Sequence, residues 1–137
     1  MTKIHPFLIG KERKKSLNTI SVVNPFTEKS FAEACLASPV DIEISIDLAC
    51  KAFNETRKLP AYQRSRVCAN VARGISDRSE EFAQTIALES GKPLIYARNE
   101  VARSISTFKI ASQEALRLDG EILTLDVTES ARGKAGL

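Results

Sequence analysis

Apolar positions come in short runs up to residue 36 and in helical stripes from residue 39 onward. His5 to Ile9 is a brief apolar stretch closed by Gly10. Thr19 to Val23 (TISVV) is β-branched and stops at the turn signal Asn24-Pro25, and Phe31 to Leu36 alternates imperfectly after the polar Thr27-Glu28-Lys29. Three short strands joined by polar turns predict a small antiparallel sheet or meander.

The next segment carries two periods at once. Val40, Ile42, Ile44, Ile46 and Leu48 alternate with polar residues, which argues for a strand. Against that, Ser38 suits an N-cap, Pro39 the first helical position, and Asp41 completes a capping-box-like pattern and complements the helix dipole. Ile42, Ile46, Ala49 and Phe53 also form a helical stripe. The run to Lys58 is about 20 residues, long for a strand and ordinary for a helix. The prediction is a helix with Ile44 on its flank.

Pro60 punctuates the chain. From Ala61, the residues Val67, Val71 and Ile75 fall four apart, with Cys68 and Ala72 beside them and Arg64, Arg66, Arg73 and Arg78 mostly elsewhere. That is a second amphipathic helix. Gly74 inside it costs up to about 1 kcal/mol relative to Ala, which implies either close packing or a weak spot. Ser79-Glu80-Glu81 restarts a helix whose apolar face is Phe82, Ala83, Ile86 and Ala87. Pro93 opens a fourth, with Leu94, Ala97, Val101, Ile105, Phe108 and Ala115 on one side. Gly120 is read as its end, and Glu121 to Val127 alternates like a strand.

A length of 137 residues is about one domain. The net charge of +3 gives little ground for an anionic partner, and its one dense cluster, Lys11 to Lys15 (KERKK), reads as a solvated loop rather than a nucleic-acid or lipid contact. Cys35, Cys50 and Cys68 form no C-x-x-C, and with His5 as the sole histidine a zinc site lacks ligands. Each cysteine lies in an apolar neighbourhood and is expected to be a small buried thiol. The opening MTKIHPFLIG has too short an apolar run for a secretory signal, so the cytoplasm is the expected compartment.

One stretch invites a chemical reading. Glu89-Ser90-Gly91-Lys92-Pro93 contains the Gly-Lys pair of phosphate-binding loops. A Walker-type loop needs a glycine five residues before that pair and a hydroxyl residue straight after it. Those positions hold Ile86 and Pro93. A helix–helix corner fits better: Gly91 takes a left-handed cap and Pro93 begins the next helix. Lys92 either approaches the last carbonyls of the preceding helix or is solvated. Elsewhere, His5 lies near a chain end, and Glu80, Glu81, Glu89 and Glu100 fall at helix ends or faces where solvation or ion pairing explains them. No catalytic, cofactor-binding or metal-ligating residue is assigned.

The order of these landmarks resembles the opening of the aldehyde dehydrogenase superfamily. The stretches that carry the likeness are LIGKERKK, then ISVVNPFTEKSFAEACLASPVDIEISIDLACKAF, then LPAYQRSRVCANVARGISDRSEEFAQTIALESGKPLIYAR, then NEVARSISTFKIASQEALRLDGEILTLD. Departures are Lys11-Glu12-Arg13 where an aromatic residue is common, and Gly74 where a larger apolar residue is usual. The resemblance implies a partial α/β fold: about four amphipathic helices plus short strands, the amino-terminal part of a Rossmann-like cofactor domain over residues 1–120, with 121–137 beginning an oligomerisation arm. It implies that the full-length enzyme oxidises an aldehyde with NAD or NADP through a cysteine thiolate, an oxyanion pocket and a glutamate. In the family those groups, and the main cofactor segments, lie beyond the matched stretch. Hence this chain is expected to be an inactive fragment that binds no cofactor, taken from a homo-oligomeric enzyme. A cation site of some members would correspond here to the Val23 carbonyl and Glu100. The wording EALRLDGEILTLD resembles the branch acting on small hydroxy- or phospho-aldehydes. A free-standing helical interaction module is the alternative. The chain alone is expected to be loosened, with exposed apolar surface, and the strand after Gly120 to lack a return partner and invite pairing between chains.

Overall fold

The computed structural model describes residues 3–117, 120, 123–125, 127–133 and 135–136. Five short strands come first: β1 (Lys3–His5), β2 (Phe7–Ile9), β3 (Glu12–Lys14), β4 (Thr19–Val23) and β5 (Ser30–Cys35). Four helices follow, α1 (Pro39–Thr56), α2 (Ala61–Asp77), α3 (Ser79–Ser90) and α4 (Leu94–Glu114), and then the two-residue strands β6 (Leu123–Thr124) and β7 (Ala135–Gly136). The helical reading of the ambiguous segment therefore holds, and its cap explains why.

The Ser38 hydroxyl accepts from the Asp41 N–H at 3.2 Å, while the Asp41 carboxylate accepts from the Ser38 N–H at 2.9 Å and from the Ser38 hydroxyl at 2.7 Å. This reciprocal arrangement satisfies donors that a helix start otherwise leaves orphaned. Lys14 of β3 adds its ammonium to the same carboxylate at 2.5 Å. The KERKK cluster is exposed as expected, but its centre forms the strand β3 rather than a loop. Gly10, at φ 59°, turns the chain so that β2 and β3 form a hairpin, and Lys14 ties that hairpin to α1.

Asp41 is 5% exposed and has its pKa lowered from 3.8 to about 2, first by the Lys14 hydrogen bond and then by those from Ser38. A depressed carboxylate stabilises the fold above its unfolded value and loses that contribution as pH falls through the folded one. In urea titrations the chain should therefore exceed Asp41→Asn in stability at pH 6. That advantage should shrink below pH 3.8 and vanish near pH 2, bracketing the two values.

The strand region differs from a simple meander. The order is β1-β5-β4, with β1 parallel to β5 (Lys3 opposite Ala32) and β4 antiparallel to it (Thr19 opposite Cys35). Pro6 supplies no N–H, so the ladder breaks between His5 and Phe7 and the chain pairs with two different partners on either side of it. At the far end, α4 stops at Glu114 rather than running to Gly120. Its last turn tightens, with Leu116 N–H donating to the Gln113 carbonyl and Arg117 N–H to that of Glu114. The strand expected over Glu121–Val127 is seen at Leu123–Thr124, and it has a return partner after all: Leu123 pairs with Gly136 and Thr124 with Ala135. Glu121, Ile122 and Asp126 lie outside the described residues.

The core sits where α3 and α4 cross. Ala83 and Ala97 are 0% exposed and Val101 2%, ringed by Ile75, Phe82, Ile86, Leu94 and Ile105. Small side chains here let the helices approach closely, and α2 lies along α4 with a Ser65–Ser112 hydroxyl contact of 3.0 Å. By contrast, α1 leans chiefly on the β2–β3 hairpin and leaves most of its apolar residues exposed. Gly74 is the weak spot of the two alternatives, since a Cβ there would meet nothing within 4 Å. Gly74→Ala should raise stability by roughly 0.5–1 kcal/mol, read as a higher urea midpoint.

Candidate functional site

Gly91 closes α3 at φ 68°, ψ 7°, its N–H donating to the Ala87 carbonyl at 2.9 Å. The left-handed cap expected from Glu89-Ser90-Gly91-Lys92-Pro93 is therefore present, and Pro93 caps α4. Against this corner lies the turn after β4. Asn24 organises that turn by accepting from the N–H groups of Phe26 at 2.9 Å and Thr27 at 3.0 Å. A Cβ added to Gly91 would stand 3.0 Å from Pro25 Cγ and 3.3 Å from the Phe26 nitrogen. The glycine is required twice, for its φ and for this approach.

Lys92 follows neither course left open by its sequence context. Its ammonium donates to Glu100 on α4 at 2.6 Å, and this contact is the main cause of the lowered Glu100 pKa. Glu100 is thereby committed to a cation of the chain itself. Among the described residues, no group of three His, Cys, Asp or Glu is placed to hold a metal ion.

Two more of the candidate carboxylates, Glu80 and Glu81, are held in the same way. Glu80 of α3 receives a two-pronged Arg98 guanidinium from α4 (3.0 and 2.9 Å), and Glu81 receives Arg78 (2.7 and 2.7 Å). In each case the guanidinium is the leading cause of a lowered carboxylate pKa. General bases work best with a pKa near the working pH; these pairs move the carboxylates away from it. They are surface ion pairs, worth little individually; Glu80–Arg98 joins α3 to α4, while Arg78–Glu81 is local to the start of α3.

His5 is exposed at the end of β1, where it lines a crevice of about 440 Å³ with Lys3, Val22, Phe31, Thr85 and Glu89. A larger groove, about 480 Å³, runs between α2 and α4 over Ala69 and Ala72 and is walled by Arg73, Ser76, Lys109 and Gln113. The pattern of the two helices gave no hint of this groove, whose only sequence signal is the pair of alanines spaced three apart.

The cysteines divide. Cys35 is buried as expected, its Sγ 3.7 Å from the Ser16 carbonyl. Cys50 is exposed and Cys68 only partly covered, contrary to the expectation of three buried thiols. Cys50 projects on the side of α1 that carries Glu43 and Asp47, where nothing packs. No helix among the described residues is long and apolar enough to cross a membrane.

Helices folded over one another through small residues, with Glu80, Glu81 and Glu100 paired to cations of the chain, define a structural layer. Residues 12–134 match the sequence profile of the aldehyde dehydrogenase family. The chain belongs to that family. It superposes on aldehyde dehydrogenase 21 from Physcomitrella patens, solved with the reaction product succinate, with a TM-score of 0.91 and 33% identity over 97% of this chain and 28% of that one. Glyceraldehyde-3-phosphate dehydrogenase GapN from Methanocaldococcus jannaschii, solved with NADP, matches with a TM-score of 0.75 and 32% identity, covering 78% of this chain and 24% of that one. The curated 3-sulfolactaldehyde dehydrogenase of Priestia aryabhattai is 30% identical over 119 residues, 87% of this chain and 24% of that protein. The chain thus spans about a quarter of the length of the relatives it matches.

Proposed function

We propose that this chain serves as scaffold within an NAD- or NADP-dependent aldehyde dehydrogenase that oxidises an aldehyde to a carboxylic acid, and that the reacting groups lie in other parts of that enzyme. The observation that carries this reading is the agreement of 97% of the chain with aldehyde dehydrogenase 21, at a TM-score of 0.91. The ion-paired carboxylates support it from the side of chemistry, since Glu80, Glu81 and Glu100 all have lowered pKa values. Residues 1–120 act as the outer layer of the dinucleotide-binding domain and 121–137 as the start of the arm between subunits of a homo-oligomer in the cytoplasm. The substrate class we favour is a small hydroxy- or phospho-aldehyde, in keeping with relatives named for 3-sulfolactaldehyde and glyceraldehyde 3-phosphate.

The exposed apolar side chains of α1 favour one second reading, a helical interaction module without catalysis. A chimera separates the two. The matched segment of aldehyde dehydrogenase 21 is replaced by this chain, and aldehyde-dependent reduction of NAD⁺ or NADP⁺ is followed at 340 nm, with the aldehyde that yields succinate as substrate. The scaffold reading expects turnover; a soluble chimera with no turnover would count against it.

A further inference from the structure

We infer that the groove between α2 and α4 is a binding site for a small organic anion, a compound with a phosphate or carboxylate head on a short carbon body. The inference goes beyond the proposed function and does not depend on it.

The groove has an apolar floor and polar walls. Its floor is Ala69 and Ala72 of α2, and Ala72 is only 3% exposed. The two helices are fastened beside it by the Ser65–Ser112 hydroxyl contact of 3.0 Å. On the walls stand Arg73 and Ser76 of α2, with Lys109 and Gln113 of α4 opposite. A volume of about 480 Å³ falls within the ordinary range of sites that hold small molecules.

The charges point to the ligand. At three other contacts between segments of the chain a cation meets an acid: Lys14 meets Asp41, Lys92 meets Glu100 and Arg98 meets Glu80. Here two cations, one from each helix, line one space, and neither makes an ion pair among the described residues. Lys109 has no acid within one turn on its own helix, where its neighbours are Ile105, Ser106, Ser112 and Gln113. Asp77, one turn beyond Arg73, is the single acid lining the groove, so cations are in excess. Like charges on facing walls repel, and an anion between them turns that repulsion into attraction. A cleft with cations in excess also concentrates anions from solution.

The same residues limit the class of ligand. A guanidinium fork, an ammonium, an amide and a hydroxyl together offer the donors that an oxyanion head accepts. The alanine floor suits a short carbon body behind that head. No aromatic side chain lines the groove, so a nucleobase would lack a stacking partner.

The test follows the melting temperature of the 137-residue chain at constant ionic strength with glycerol 3-phosphate, with succinate and with uncharged glycerol. At about ten times Kd the bound anion should raise the midpoint by about 4 °C and then saturate, while glycerol leaves it unmoved. A shift from glycerol 3-phosphate alone assigns a phosphate head, and one from succinate alone a carboxylate head. Arg73→Gln with Lys109→Gln should abolish the shift and leave circular dichroism unchanged, because both side chains are exposed. Lys51→Gln with Lys58→Gln removes the same charge on α1 and just past its end, and should keep the shift. Three results would overturn the inference: neither anion moves the midpoint, the Arg73 and Lys109 variant keeps the shift, or the Lys51 and Lys58 variant loses it equally.

Discussion

Gly91→Val is expected to be among the most damaging single changes in the chain. At φ 68° an L-residue sits in the left-handed region, at a cost of about 1–3 kcal/mol for a non-glycine. The first added carbon would also meet Pro25 Cγ at 3.0 Å and the Phe26 nitrogen at 3.3 Å. Pro25 belongs to a ring and the nitrogen to the backbone, so neither yields by a simple rotamer change. The turn after β4 would have to move off the α3–α4 corner, adding roughly 1–3 kcal/mol of overpacking. Together these predict a fall in melting temperature on the order of 10 °C. Gly91→Ala should show a smaller loss. If valine left the thermal midpoint unmoved, the described approach of turn and corner would be wrong.

The second large effect is expected at Ala97. It is fully buried where α4 crosses α3, against Ala83 and Val101. Leucine there has no space to enter, and the cost of forcing extra carbons into a packed contact is about 1–3 kcal/mol. Parting the helices should also break the Glu80–Arg98 pair, which spans the same crossing. The same change at Ala102, on the exposed side of α4, should stay within about 0.5 kcal/mol. Urea midpoints of the two variants decide the matter, and equal values would contradict the assigned core.

Local signals in the sequence were informative where the chain satisfies itself locally. Ser38, Pro39 and Asp41 announced the start of α1 against a competing period of two, because a capping box is made from residues three apart. Gly91 and Pro93 likewise marked a corner whose dihedral angles they determine. What the pattern did not convey depends on distant partners. Nothing near Lys14 in sequence shows that it pairs with Asp41, 27 residues away. Nothing near Lys92 points past the helix end to Glu100 except a spacing of eight. The parallel pairing of β1 with β5 is of the same kind, since strand propensity says nothing of direction.

The candidate site follows that division. Motif spacing was enough to set aside a phosphate loop at Gly91-Lys92. The Glu80 and Glu100 pairings became visible only in three dimensions. Cys50 marks a further limit: an apolar neighbourhood in sequence places a residue on a helix, but burial needs something packed against it. On α1 that something is missing for most of the surface. The family members with which the chain overlaps are about four times longer.

The most direct measurement is aldehyde-dependent formation of NADH or NADPH by the purified 137-residue chain, with lactaldehyde and glyceraldehyde 3-phosphate as substrates. A scaffold whose Glu81, Glu100 and Glu80 are tied to Arg78, Lys92 and Arg98 should give no rate above buffer with either coenzyme. Sustained turnover, proportional to the concentration of the chain, would contradict it.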